Sequence, residues 1–284
     1  MNVFDALREK GIDISPEQEK LIMDSFNSKI NYTPKVGVFG KTGAGKSSLC
    51  NALFGKKMCD VSDVEACTRE TKSVDIGGIN LIDCPGVGES NERDREYKRA
   101  YDNLLPTLDA ILWVLKGDDR AFTVDKQFYD LIISNKAKEK LPFFFVVNQV
   151  DKIEPFRKWN EEAHRPGEEQ EVNINKKREY ISSVFSYPIN KVIAVSANEG
   201  YNLVELVNTL VLNLPQEKQA MFYTTFKEEL RTEETTEKVK KNTENTFWNT
   251  VAKYTKIAAE IVIPIILSKI PVIGPIAKVF KFFR

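Results

Sequence analysis

The chain has 284 residues, 42% of them hydrophobic and 29% charged, with 41 basic residues balanced by 41 acidic ones. This composition can bury a core, so it excludes disorder for the bulk of the chain, and it gives no overall charge excess for binding a polyanion. Four cysteines (Cys50, Cys59, Cys67, Cys84) without a C-x-x-C pair, and a single histidine, His164, argue against a Cys/His zinc site. No charged-then-apolar leader opens the sequence, so a reducing cytoplasm is the expected setting.

Three parts separate by composition. Residues 1–33 read as helical. Ser15 is placed to cap a helix, Pro16 suits its first position, and Gln18 sits where a capping box needs it. Leu21, Ile22, Phe26 and Ile30 follow at helical spacing, as in a helix packed on its neighbour.

Residues 34–215 alternate short apolar runs with helical patterns. Lys35–Phe39, Ile111–Leu115, Phe143–Val147 and Val192–Val195 suit strands covered on both faces. Ser47–Phe54, Val124–Ser134, Lys176–Phe185 and Leu203–Leu212 suit helices between them. Lys72–Ile76 and Ile79–Ile82, joined by Gly77-Gly78, suggest a hairpin and hence one antiparallel strand. The expected fold is α/β, a mostly parallel sheet with helices on both faces.

Residues 216–284 form the third part. The stretch 216–256 is polar and reads as helix. An apolar tail follows, interrupted by Pro264, Pro271 and Pro275 and ending on Lys278, Lys281 and Arg284 among phenylalanines. Residues 261–284 hold four basic residues and no acid, so the rest of the chain is acidic on balance. For residues 251–284 three readings stand: packing back on the helical segments, contact with a membrane interface, or binding of a protein partner. The prolines and charges disfavour a straight membrane span.

The chemistry concentrates after the first strand. Gly40-Lys41-Thr42-Gly43-Ala44-Gly45-Lys46-Ser47, followed by Ser48, fits G-x-x-x-x-G-K-[ST] between a strand and a helix. Glycines there let backbone N–H groups and a helix N-terminus wrap phosphate oxygens. Lys46 reaches for the β and γ phosphates, and the Ser47 hydroxyl for Mg²⁺. Asp83-Cys84-Pro85-Gly86 places a carboxylate for Mg²⁺ through water and a Gly86 N–H for a γ phosphate. Asn148-Gln149-Val150-Asp151 follows another strand. Its Asp can take both N–H groups of a guanine edge, and Asn148 can tie this loop to the phosphate loop. Ser196-Ala197-Asn198 follows the last strand, with backbone N–H groups for the guanine O6. Each segment alone fits an ordinary turn. Together, all at the carboxyl ends of strands, they point to one GTP/GDP site.

With these motifs, residues 34–215 resemble the Era-like GTPases of the translation-factor-related P-loop class. The run GKTGAGKSSLCNALFG is also similar to septin and immunity-related GTPases. The resemblance implies a Ras-like domain flanked by helical segments. It implies that Thr68 completes the Mg²⁺ shell, making Ser47, Thr68 and Asp83 the metal set and Lys46, Thr68 and Gly86 the catalytic one. Residues 57–71 and 84–97 would be its two switches. The chain departs from the family at two points. Gln149 replaces the lysine of the base motif. Val87 stands where Ras-type enzymes orient water with glutamine, so slow intrinsic hydrolysis is expected. Gly43, where potassium-activated relatives carry asparagine, argues against potassium dependence.

Two function classes follow: a slowly hydrolysing switch, and a GTP-driven assembly or membrane scaffold of septin or dynamin logic. A nucleotide-dependent homodimer suits the second. Ribosome or nucleic-acid binding has less support, because no basic appendage follows the GTPase domain. His164 reads as part of a solvated insertion, Cys67 and Cys84 as small buried fillers, and Asp118-Asp119-Arg120 as a charged surface turn in preference to a contact with a dimer partner's nucleotide.

Overall fold

A computed structural model describes residues 3–9, 11–32, 34–41, 43–55, 72–75, 80–83, 103–133 and 141–255. Thr42, Thr68, Cys84, Gly86, Val87, both switch ranges and the apolar tail from Lys256 onward lie outside them.

The expected α/β architecture is present. Six strands, β1 (Lys35–Phe39), β2 (Lys72–Asp75), β3 (Asn80–Asp83), β4 (Ala110–Lys116), β5 (Phe143–Asn148) and β6 (Val192–Ala194), form one sheet in the order β2-β3-β1-β4-β5-β6. All neighbours run parallel except β2 with β3. Because β1 lies in the middle and β3 and β4 flank it, the loop after β1 opens where the sheet order reverses. Open α/β sheets bind ligands at that point.

The central strands are apolar throughout because both faces are covered. Ala110, Leu112 and Val114 of β4, with Phe144 and Val146 of β5, face helices α3 (Lys46–Phe54) and α6 (Leu203–Leu212). Ile111, Trp113 and Leu115, with Phe143, Phe145 and Val147, face α4 (Thr123–Ile133) and α5 (Glu168–Phe185). The second face is an aromatic cluster. Phe145 packs 4.4 Å from Phe185, and the Tyr129 ring lies edge-on to Phe143 at 5.4 Å. Burial pushes the Tyr129 phenol up to about 12.

The helices from the two ends of the chain join the first core. Helix α1 (Val3–Glu9) and α2 (Pro16–Ile30) meet α8 (Glu233–Thr255) at Phe247, which packs 6.2 Å from Phe4 and 5.2 Å from Phe26. Gln18 donates to the Tyr254 carbonyl at 3.1 Å, and Lys29 to Thr250 at 3.1 Å. The capping box at Ser15 forms in full. Helix α7 (Gln216–Thr225) lies against α8 and α2 and anchors to the sheet through an ion pair from Lys218 to Asp109. Asp109 in turn accepts from the Lys35 N–H at 2.8 Å, fixing the start of β1.

Three expectations need correction. Leu21 is half exposed while Ile22, Phe26 and Ile30 are buried, because strict i, i+4 spacing from Ile22 turns Leu21 about 100° away. Helix α5 begins at Glu168 rather than Lys176. Its acidic first turn suits the positive helix end, and buried Gln170 and Ile174 anchor it. Residues 216–255 of the polar stretch hold two separate α-helices, α7 and α8. Arg231 takes the Thr224 and Phe226 carbonyls at the end of α7, and Thr232 accepts the Thr235 N–H at the start of α8. No described helix is long and apolar enough to cross a membrane.

Candidate nucleotide site

The loop from Gly40 to Gly45 leaves β1 and enters α3 at Lys46. Its conformation needs glycine. Gly40 has φ 139, and a Cβ there would sit 2.2 Å from the Val114 carbonyl oxygen. Gly45 has φ 85, and a Cβ there would sit 2.4 Å from the Asn148 side-chain nitrogen. Ala44 is buried and its N–H turns back to the Lys41 carbonyl at 3.2 Å. Lys46 opens α3 and folds its ammonium over the loop, donating to the Gly40 carbonyl at 2.9 Å. Ser47 follows in the first turn, partly exposed, and Ser48 is exposed. The result is a glycine-rich turn that runs into a helix N-terminus, an arrangement that offers N–H donors to phosphate. Asp83 is the last residue of β3, beside Val38 of β1. Thr42, Thr68 and Gly86, the other residues predicted for this end of the site, are outside the described residues.

Asn148 joins this loop to two others. It ends β5 and is buried. Its amide nitrogen donates to the Ala44 carbonyl at 3.1 Å and approaches the Gly45 carbonyl at 3.3 Å. Its amide oxygen accepts the Ala197 N–H at 3.1 Å. One side chain therefore holds the loops after β1, β5 and β6 in register.

Asp151 lies in a short 3-10 turn, Val150–Lys152, entered through Gln149 in the left-handed conformation at φ 61. The buried Ser196 hydroxyl donates to Asp151 at 2.6 Å, which fixes the rotation of the carboxylate. The Ser196–Tyr201 bridge closes the loop that carries Ala197 and Asn198. Gln149 donates to the Gly43 carbonyl at 2.9 Å. The structure thus gathers Gly40, Gly43, Ala44, Gly45, Lys46, Asn148, Gln149, Asp151, Ser196 and Ala197 into one contiguous rim at the carboxyl end of the sheet.

Lys41 behaves differently from its loop neighbours. Its ammonium turns to the loop after β4 and the start of α4, 3.1 Å from Asp119 and 2.7 Å from Asp125, and donates to the Ala121 carbonyl at 2.8 Å. Asp125 is 1% exposed, and its other oxygen lies 3.4 Å from the Trp113 indole nitrogen. Burial raises the Asp125 carboxyl above its ordinary value against the pull of Lys41. Burial also works to raise Asp119, but the Ala121 N–H, Lys41 and Lys177 together hold it below its ordinary value. The turn at Asp118-Asp119-Arg120 is therefore tied down through Asp119, and Lys177 of α5 donates to the Asp119 carbonyl. Nothing in the sequence marked Asp125, since an acid in the first turn of a helix looks like an ordinary end effect.

The insertion after the base motif also has a defined shape. Trp159 packs edge-on against Tyr201 at 5.5 Å, Asn160 pairs with Arg165, and His164 meets Glu199 at 3.0 Å. Gln170 of α5 donates to the carbonyls of Asp151 and Ile153 at 3.0 and 2.9 Å. His164 is exposed, as expected, yet it latches the insertion to the loop after β6. An open cleft of about 570 Å³ lies between them, lined by Asp151, Lys152, Phe156, Trp159 and His164 among others.

Residues 35–149 match the family described as 50S ribosome-binding GTPase. YkfA and YfjP of Escherichia coli (strain K12) are each 41% identical to the chain over 200 residues, covering 69% of this chain and 67% of theirs. The tRNA modification GTPase MnmE of Bacteroides thetaiotaomicron is 29% identical over 214 residues, covering 72% of this chain and 41% of that protein. With its phosphate and base loops joined on one sheet edge, the chain belongs to the P-loop GTPases, in the family that includes YkfA and YfjP.

Proposed function

We propose that the chain is a guanine-nucleotide switch of Era-like type that binds GTP with Mg²⁺ and hydrolyses it slowly. The observation that carries this reading is the double role of Asn148, which joins the phosphate loop to the loop holding Ala197 while Ser196 orients Asp151. Asp151 then takes the two N–H groups of the guanine edge, a pattern adenine does not present. The Asn198 N–H, next to the Ala197 N–H that Asn148 holds, lies on the loop that would meet the guanine O6. Gly43 and Gly45 would offer backbone N–H groups to the phosphates, and Lys46 would leave the Gly40 carbonyl for the β and γ oxygens.

Ser47, Thr68 and Asp83 would hold Mg²⁺, which supplies charge neutralisation at the phosphates. Gly86 and Thr68 would sense the γ phosphate. Catalysis in such a site is positioning and charge stabilisation of transfer to water. Val87 offers no group to orient that water, so the isolated chain turns over slowly. Residues 34–215 would form the GTPase domain, with 1–33 and 216–284 as its helical flanks.

Calorimetric titration of the full chain with GDP and with ADP, in Mg²⁺, tests the reading. GDP is expected to bind at least about 100-fold more tightly than ADP, the discrimination that a site left with unpaired polar groups enforces. Equal affinities would overturn it. Phosphate release from GTP should proceed on the order of 10⁻³ per second or slower, the range of a GTPase without its activator.

A further inference from the structure

Gln149 occupies the position where the base motif has a lysine. A lysine there combines a stem, a donor to the phosphate loop and a positive charge in one side chain. In this chain those parts are divided. The Gln149 amide nitrogen donates to the Gly43 carbonyl at 2.9 Å. Its amide oxygen accepts from the Lys152 ammonium at 2.8 Å. The backbone makes this pairing local. Gln149, left-handed at φ 61, leads into the 3-10 turn Val150–Lys152, and the Lys152 N–H closes on the Gln149 carbonyl at 3.1 Å, so the two side chains start close together. The two partners also fix the orientation of the amide. Reversing it would set N–H against ammonium and oxygen against oxygen.

We propose that Lys152, outside the recognised motif, is a positioning residue of the nucleotide site. Through Gln149 it supplies the charge that the motif lysine would otherwise carry. The ammonium polarises the amide and strengthens its donation to Gly43, so the phosphate loop is held by a relay from Lys152 through Gln149 to Gly43. Lys152 is exposed, and a plain surface contact of this kind would contribute almost nothing. What separates the two readings is that the relay makes the effect of Lys152 depend on Gln149. The inference rests on the guanine-nucleotide reading above.

The test measures GDP affinity of the full chain, in Mg²⁺, across a small set of variants. Lys152→Ala should weaken binding about fivefold and Lys152→Arg should leave it near wild type, as a charge-assisted but exposed contact allows. Gln149→Ala should weaken it about tenfold, and adding Lys152→Ala to that variant should change nothing further. Gln149→Lys combined with Lys152→Ala should return affinity to near wild type, because one lysine again carries both parts. An undiminished Lys152→Ala effect in the Gln149→Ala background would overturn the relay. So would failure of the Gln149→Lys, Lys152→Ala pair to bind better than Lys152→Ala alone. A wild-type chain that does not bind GDP would instead overturn the guanine-nucleotide reading. A wild type that binds GDP with Lys152→Ala unchanged would overturn only the relay.

Discussion

The phosphate loop and the base loops meet at Asn148 but are built on opposite plans. The phosphate loop works through backbone. Its shape depends on Gly40 and Gly45, where a Cβ would strike the Val114 carbonyl or the Asn148 amide. The base loops work through side chains: Asn148, Gln149, Asp151 and Ser196 each make a specific hydrogen bond. A backbone cradle recognises charge and tolerates almost no change of residue. A side-chain cradle recognises an edge and can be re-specified one residue at a time. Substitutions in the first loop should therefore abolish binding, and those in the second should alter which nucleotide binds or how tightly.

The largest effect is expected at Gly40. Gly40→Ala combines a strained φ with a backbone clash and should cost about 3 kcal/mol or more of stability, with loss of nucleotide binding. Chemical denaturation and GDP titration check both. A variant that still bound GDP would show that the loop can re-form around a side chain, and would break the contrast. Asn148→Ala comes next, because it strips three loops of their shared partner and leaves buried groups unpaired. A loss of about 2 kcal/mol in stability is expected, with at least a tenfold weaker GDP affinity. Asp125→Ala sharpens the comparison from the far side of the phosphate loop. It removes the buried partner of Lys41 and should cost about 2 kcal/mol, less than a fully buried pair because Lys41 is partly exposed.

The smallest effect is at Asp119 and depends on pH. Its carboxyl lies below the ordinary value, so the stability it contributes is full above the unfolded carboxylate range and is lost as pH falls through the folded value. Asp119→Asn should cost less than about 1 kcal/mol at neutral pH, and less at pH 3 than at neutral pH. Denaturation midpoints at the two pH values decide it.

Much of the fold was legible because its signals are local. The apolar runs of β1, β4, β5 and β6 were visible as strands covered on both faces, and Gly77-Gly78 pointed to the antiparallel pairing of β2 with β3. Ser15, Pro16 and Gln18 announced α2. The start of α5 was not visible, because Glu168 to Glu171 look like a loop until Gln170 and Ile174 find their partners in space. The phosphate loop could be read from its spacing, since glycines at fixed intervals state a backbone shape. The role of Lys41 could not. Asp125 lies 84 positions further on, and nothing local ties the two. The pairing of Lys152 with Gln149 was hidden differently. It is close in sequence, but only the left-handed entry at Gln149 and the 3-10 turn after it bring the two side chains together.

Asp151 gives the most direct test of the whole account, because its proposed role is a choice of base and not a contribution to folding. Affinities of the wild type and Asp151→Asn for GDP and for xanthosine diphosphate separate the possibilities. A guanine preference is expected in the wild type and a reversal toward xanthine in the variant, as the accepting carboxylate becomes an amide that can donate. A variant that folds and keeps its preference for guanine would contradict it.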